Sequence, residues 1–283
     1  MRPKLLISQG FFALLLLAGT VVGTVVGPSC GTPAQNPKKS DGRLQIAKDY
    51  LTRQELTAAR KEAQTAVKYN SKNAEAYLVL GLVDFLEALN NNRLLEVDDC
   101  LTGVDAEGLR SELRAHVQSA IGSFQKAADI DSEYSQAYAL EAKAHALLEE
   151  YDVAIELLQK ALEIPHRLMD LGLTRADLGW ARFNSGDDAG AAKELRQALQ
   201  SNSKMCVAKY RLGRVYFKRE EWNKALEQFQ AVVLEDECGM QEAHLYFVKT
   251  MSQLSMTNEL PAAIDQCTAL APKSCIAAQC QGV

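Results

Sequence analysis

The sequence predicts an all-α protein, a solenoid of about six stacked helix hairpins. Two registers predict it. In the first, Ala59, Ala120, Ala154, Ala191 and Ala225 are followed four residues later by Ala63, Phe124, Leu158, Leu195 and Phe229, and seven residues later by Ala66, Ala127, Ala161, Ala198 and Val232. In the second, a small residue precedes each of those alanines, at Ala47, Gly81, Ala142, Gly179 and Gly213. The separations are 34, 61, 37 and 34 residues, and 61 is one period plus 27. Antiparallel helices approach closely only where facing side chains are small, and a larger residue then fills the space beside them. One hairpin cannot bury its apolar face alone, so the units stack. An apolar fraction of 47% and a charged fraction of 24% suit an ordinary folded chain.

The chain opens on Arg2 and Lys4, followed by an almost unbroken apolar run from Leu5 to Val26 and then Gly27, Pro28, Ser29 and Cys30. Charge, apolar run and small residues in that order read as a secretory signal over residues 1–29. The cysteine closing the run resembles the lipobox of bacterial lipoproteins, in which it becomes the lipidated first residue; Ser29 fits the position before it, whereas Gly27 and Pro28 depart from the usual pattern. The alternative is an uncleaved anchor, since an apolar run of this length just spans a bilayer. Either way the body is expected to be exported and tethered to a membrane. Residues 30–41, with two prolines, two lysines and no apolar period, read as a flexible tether. In lipoproteins, the lack of an aspartate directly after the cysteine usually permits transport to the outer membrane, and Gly31 is compatible with that address.

A 34-residue period with small residues at two offsets resembles the tetratricopeptide repeat, which implies a right-handed superhelical solenoid over residues 42–283. Repeat one spans about residues 40–73, with Tyr50 in the aromatic position of its first helix. Repeat two spans 74–134, its first helix expected to end near Leu89. An insertion at 90–112 follows, opening on Asn90–Asn91–Asn92 and including Cys100, Gly103 and Gly108; Asn and Gly suggest turns, and Arg93–Asp99 a short helix. Repeat three (135–168) is expected to stop at Pro165. Repeats four (172–205) and five (206–239) carry Leu178–Gly179 and Leu212–Gly213. A degenerate sixth (240–275) keeps Ala263, Cys267 and Leu270, with Phe247 in the place of the small residue; atypical ends cap a solenoid.

Catalytic patterns are missing from the sequence: no HExxH, GxSxG, phosphate-binding glycine loop or paired CxxC. His116, His145, His166 and His244 are scattered, without a ligand partner at helical spacing. The acids of the insertion lack the spacing of a calcium loop. No enzyme activity, cofactor, metal or small-molecule substrate is expected. The net charge is −5, and −7 once the first 29 residues are removed, which argues against nucleic acid. Five of the seven cysteines follow residue 205, a clustering that suits an oxidising compartment. Cys206 begins the first helix of repeat five and Cys238 ends its second, so the two ends are neighbours in an antiparallel pair. Cys206–Cys238 and Cys267–Cys280 are the favoured bonds, with Cys238–Cys275 an alternative; all are read as structural staples of a C-terminal cap.

In tetratricopeptide folds the first helix of each repeat lines the concave groove. Carried over residue by residue, that register selects Leu44, Lys48 and Leu51 in repeat one, and Leu78, Leu82, Phe85 and Leu86 in repeat two. It selects Ala139, Lys143 and Leu147 in repeat three, Ala176, Trp180 and Phe183 in repeat four, and Tyr210, Arg214 and Phe217 in repeat five. A groove this apolar at its N-terminal end reads as a partner site for an apolar helix or extended tail; the alternative is that Phe85 and Leu86 pack internally. Six repeats, a lipid anchor at Cys30 and the tail Cys275-Ile-Ala-Ala-Gln-Cys280 together resemble the pilotin lipoproteins of type IV pilus systems (the Tgl, PilF and PilW kind). The resemblance implies an outer-membrane lipoprotein facing the periplasm. It would be monomeric until it engages a secretin subunit, whose insertion and multimerisation it would promote. A general envelope scaffold, or a chaperone for a soluble partner, are the other expectations.

Overall fold

The structure, a computed structural model, describes residues 35–96, 106–164, 167–233 and 238–283; of residues 93–96 only the backbone is described. The signal segment, Cys30, most of the expected tether, Cys100 and Pro165 lie outside the described residues. Twelve helices form six antiparallel hairpins: α1 (Pro37–Thr52) with α2 (Leu56–Tyr69), α3 (Ala74–Glu96) with α4 (Ala106–Ile130), α5 (Ser135–Leu147) with α6 (Tyr151–Glu163), α7 (Leu171–Asn184) with α8 (Asp188–Ser201), α9 (Cys206–Lys218) with α10 (Trp222–Val233), and α11 (Gln241–Gln253) with α12 (Leu260–Leu270). A short α13 (Cys275–Gln281) closes the stack against α11 and α12. Each helix packs chiefly on its chain neighbours, and the odd-numbered helices also touch their next-but-one neighbours from α1 to α11. The odd helices therefore form the inner layer.

The small-residue register does what close packing demands. A Cβ added at Gly81 would sit 2.5 Å from the Phe124 ring, and one at Gly213 would sit 2.6 Å from the Phe229 ring. Phe124, Leu158, Leu195 and Phe229 are fully buried. In repeat six the register holds after a shift of one: Val248, buried, stands at the small position, and Phe247 is only half-buried beside it. The expected substitution by Phe247 is corrected accordingly. Ala243 and Val248 repeat the spacing of the buried pair Ala208 and Gly213.

Five hairpins turn in the same way. Gln54, Glu149, Gly186, Glu220 and Ser255 adopt positive φ between the paired helices. The next residue's N–H reaches back five positions, as in Glu55 N–H to Tyr50 O at 2.9 Å, Asp187 N–H to Arg182 O at 2.8 Å and Glu221 N–H to Tyr216 O at 2.9 Å. These bonds satisfy the last carbonyls of the first helix. Only one of the five is glycine, so the others accept a left-handed backbone that costs an L-residue roughly 1 kcal/mol. Between repeats the chain turns at Asn70, Asp131 and Asn202. Each side chain accepts a backbone N–H two residues on, at 3.0 or 3.1 Å.

Two boundaries differ from expectation. Helix α1 begins at Pro37, inside the expected tether, because Asn36 caps it by accepting the Lys39 N–H at 3.0 Å and proline suits a first helical turn. Ser40, buried, donates to Ala66 O at 2.9 Å and binds this first turn to α2. The insertion is largely spent on lengthening repeat two. Asn90–Asn92 lie within α3 and Gly108 within α4, and Asn91 Nδ2 donates to Glu112 Oε2 at 3.4 Å across the hairpin. Among the described residues no helix is long and apolar enough to cross a membrane.

Both favoured disulfides form. Cys206 and Cys238 bridge the ends of the fifth hairpin with Cα atoms 5.9 Å apart, and Cys267–Cys280, at 6.4 Å, fastens α13 to α12. The alternative Cys238–Cys275 pairing is thereby overturned. Cys275 is buried at the start of α13, whose first turn is capped by Ser274 accepting the Ala277 N–H at 3.0 Å.

Candidate functional site: the inner groove

The inner layer encloses a cavity of about 490 Å³, lined by Phe85 and Leu89 of α3, Lys143 and Leu147 of α5, Trp180 of α7 and Arg211 of α9, with Asp177 in its wall. Asp177 is buried and takes two cations. Arg211 Nη1 donates to its Oδ1 at 2.8 Å, and Lys143 Nζ lies 3.0 Å from its Oδ2, an ion pair without hydrogen-bond alignment. Beyond Trp180 the groove continues as rings and cations. Trp180 stacks on Phe183 at 5.1 Å between centroids, and Phe217 meets Trp222 at 5.1 Å and Tyr246 at 5.2 Å edge-on. Arg214 lies 4.0 Å from the Tyr246 centroid, 5.6 Å from that of Trp180 and 5.8 Å from that of Tyr210.

The residues selected from sequence divide into two sets. Leu44, Leu78, Phe85 and Phe183 are buried in the core, as are Ala139 and Ala176. Their selection as a free partner surface is corrected. The next hairpin packs closely enough on α1 and α3 to cover those positions, and Leu78 and Phe85 join the cluster centred on Phe124 and Tyr138. Phe85 keeps only an edge on the cavity. Leu51, Leu82, Leu86, Trp180, Tyr210 and Phe217 are half-buried and keep an accessible face.

The position just after each small residue is the most regular feature of the groove: Lys48, Leu82, Lys143, Trp180, Arg214 and, with the corrected register, Lys249. Tyr246, Lys249, Arg211 and Asp177 escaped the sequence-based selection. Placing Val248 at the small position of repeat six would have found Lys249.

On another side of the second hairpin, Arg60 donates to Asp84 at 2.6 Å and to Glu87 at 2.5 Å, His116 Nδ1 lies 3.1 Å from Glu87, and Ser119 donates to Asp84 at 2.7 Å. The histidine's partners thus come from a neighbouring helix. Asp84, Glu87 and His116 carry metal-ligand atoms close together, but the Arg60 guanidinium already occupies the cation's place between the two carboxylates. This cluster is an ion-pair network joining α2, α3 and α4.

The tetratricopeptide repeat family model matches residues 44–85 and 176–243. The fold is a tetratricopeptide-repeat solenoid. The structure is similar to that of PilW, described as a widely conserved type IV pilus biogenesis factor, at 18% identity and a TM-score of 0.67, over 84% of this chain and 96% of that one. It is similar to Pseudomonas aeruginosa PilF at 15% identity and a TM-score of 0.64, over 87% and 97%. A chain of the APC/C hetero-tetramer Cut9–Hcn1 gives a TM-score of 0.68 at 16% identity over 87% of this chain, but the match covers only 43% of that chain. No curated protein is similar in sequence.

Proposed function

We infer that the protein is a pilotin. In this reading it is a non-catalytic lipoprotein, anchored through Cys30 to the outer membrane and facing the periplasm. It binds secretin subunits and promotes their insertion and multimerisation for type IV pilus assembly and motility. One observation carries the reading: six hairpins match two pilus-associated solenoids almost end to end, whereas the chain from the Cut9–Hcn1 assembly, with a slightly higher TM-score, is covered for less than half its length. A shared repeat aligns with pieces of many solenoids; a shared number of repeats is more selective. The two disulfides fit an oxidising periplasm. The lipid anchor rests on the sequence around Cys30 and its lipobox-like setting.

The groove supplies the means. A secretin segment laid along the inner layer would meet Leu82 and the rings of Trp180, Tyr210 and Phe217, which hold an extended or helical chain with little loss of side-chain freedom. Holding it until the ring assembles keeps an apolar surface from aggregating.

Deletion of the gene tests the reading. Detergent-resistant secretin multimers and pilus-driven movement should disappear, with secretin monomer left behind and other outer-membrane proteins at normal abundance. A broad fall across outer-membrane proteins would replace the pilotin by a general envelope scaffold.

A further inference from the structure

The C-terminal half of the groove carries positive charge that no carboxylate among the described residues neutralises. Arg214 is half-buried among the rings of Trp180, Phe183, Tyr210 and Tyr246, all within 6.0 Å of its guanidinium carbon. Its one polar partner among the described residues is the Tyr210 hydroxyl, to which Nη1 donates at 2.8 Å. Among the described residues no carboxylate comes within ion-pair distance of it, whereas the equivalent Lys48 and Lys143 are paired to Glu75 and Asp177. Burial raises the Tyr210 hydroxyl above its ordinary value, although Arg214 pulls the other way, so the phenol stays neutral and offers no counter-charge. Lys249, the repeat-six counterpart of Arg214, lies 5.3 Å from the same Tyr246 centroid and likewise has no carboxylate partner among the described residues. The two charges lie about a Debye length apart or less. Beside them, Lys143 and Arg211 share the single carboxylate of Asp177. The carboxylate whose charge acts on Tyr210 is that of Glu242, exposed at the start of α11.

A half-buried guanidinium without a counter-ion is costly unless a ligand supplies one. This excess is local, since the whole chain is acidic at −5. We propose that Arg214, helped by Lys249, seats an aspartate or glutamate side chain of an extended partner segment, whose neighbouring apolar residues lie on Trp180 and Phe217. This deepens the pilotin reading and rests on its premise that the inner groove is the partner face. Planar donors on Arg214 suit a carboxylate, and the surrounding rings exclude water and strengthen the pair. An acid within the segment is favoured over a chain end, because the groove continues past Arg214 in both directions, toward Trp180 and Arg211 and toward Phe217 and Trp222.

The test uses a phage-displayed random 12-residue peptide library on the detergent-solubilised full-length protein. It depends on no secretin sequence, so it can fail or succeed apart from the pilotin reading. Enriched peptides should carry Asp or Glu beside an aromatic or aliphatic residue, and changing that acid to its amide should weaken binding about tenfold or more. Arg214→Gln should do the same, Arg214→Lys should recover part of the affinity, and Lys249→Gln should weaken it two- to threefold. Added salt should weaken wild-type binding. Lys249 is not among the buried core residues, so its variant remains informative if Arg214→Gln fails to fold. Enrichment without acids, no enrichment at all, or amide peptides that bind as well as acids would overturn the proposal. Acidic peptides selected here while secretin multimers persist in the deletion strain would leave the anion seat standing and remove the pilotin.

Discussion

Hairpins one to three and hairpins four to six share one register, yet they use the inner face differently. In the first half, Leu44, Leu78 and Phe85 are covered by the next hairpin, and the lengthened α3 and α4 enlarge the core around Phe124. The second half also buries Ala176 and Phe183, but its inner face carries Trp180, Tyr210, Arg214 and Phe217, which stay partly open, and the Cys206–Cys238 and Cys267–Cys280 bonds hold its end. The same repeat can thus be spent on core or on surface. The N-terminal half reads as foundation and the C-terminal half as working face.

Substitutions should separate the two halves, beginning with the largest effect. Phe85→Ala should cost about 3–5 kcal/mol in urea denaturation, because it opens a cavity in the first-half core. A cost near zero would mean that Phe85 belongs to the groove after all. Breaking Cys206–Cys238 with Cys206→Ser should cost roughly 3–4 kcal/mol by the loop-entropy argument, measured against the oxidised protein in the same titration. A cost well below that would mean the working face does not depend on its staple.

Smaller effects sharpen the picture. Asp187 caps α8 by accepting the Gly190 N–H at 2.8 Å and pairs with Arg182 at 2.8 Å. That backbone bond, and then Arg182, hold its carboxyl below the ordinary carboxylate value. Asp187→Ala should cost about 1 kcal/mol at neutral pH. A depressed folded-state pKa stabilises above the unfolded value near 3.8, so the deficit of the variant should shrink as pH falls through the lowered folded value. Glu220→Gly should stabilise by up to about 1 kcal/mol, since φ there is +58°. Lys249→Gln should leave stability within about 0.5 kcal/mol, as an accessible side chain outside the core.

The hairpins were legible because the small-residue register is a local pattern and steric exclusion between helices reads it directly. The Cys206–Cys238 bond followed from antiparallel geometry, and Cys267–Cys280 from the shared place of its cysteines in the cap and tail. The extent of the groove was not legible. Whether Leu78 points at a partner or at α5 depends on how closely consecutive hairpins pack, which no 34-residue window contains. Helix α3 ran past Leu89 because asparagines that favour turns alone stay helical when α4 packs alongside, where Asn91 meets Glu112. Arg214 was visible as a groove position, but that four rings surround it, with no carboxylate among the described residues in ion-pair reach, depends on packing between hairpins.

The most direct measurement is site-specific photocrosslinking in cells, with the photoreactive residue placed in turn at Trp180, at Phe217 and, on the Arg60 network, at Ser119. If the second half is the working face, Trp180 and Phe217 will capture the secretin subunit and Ser119 will not. Secretin adducts at Ser119 alone, or none at the groove positions in a protein present at normal abundance, would contradict it.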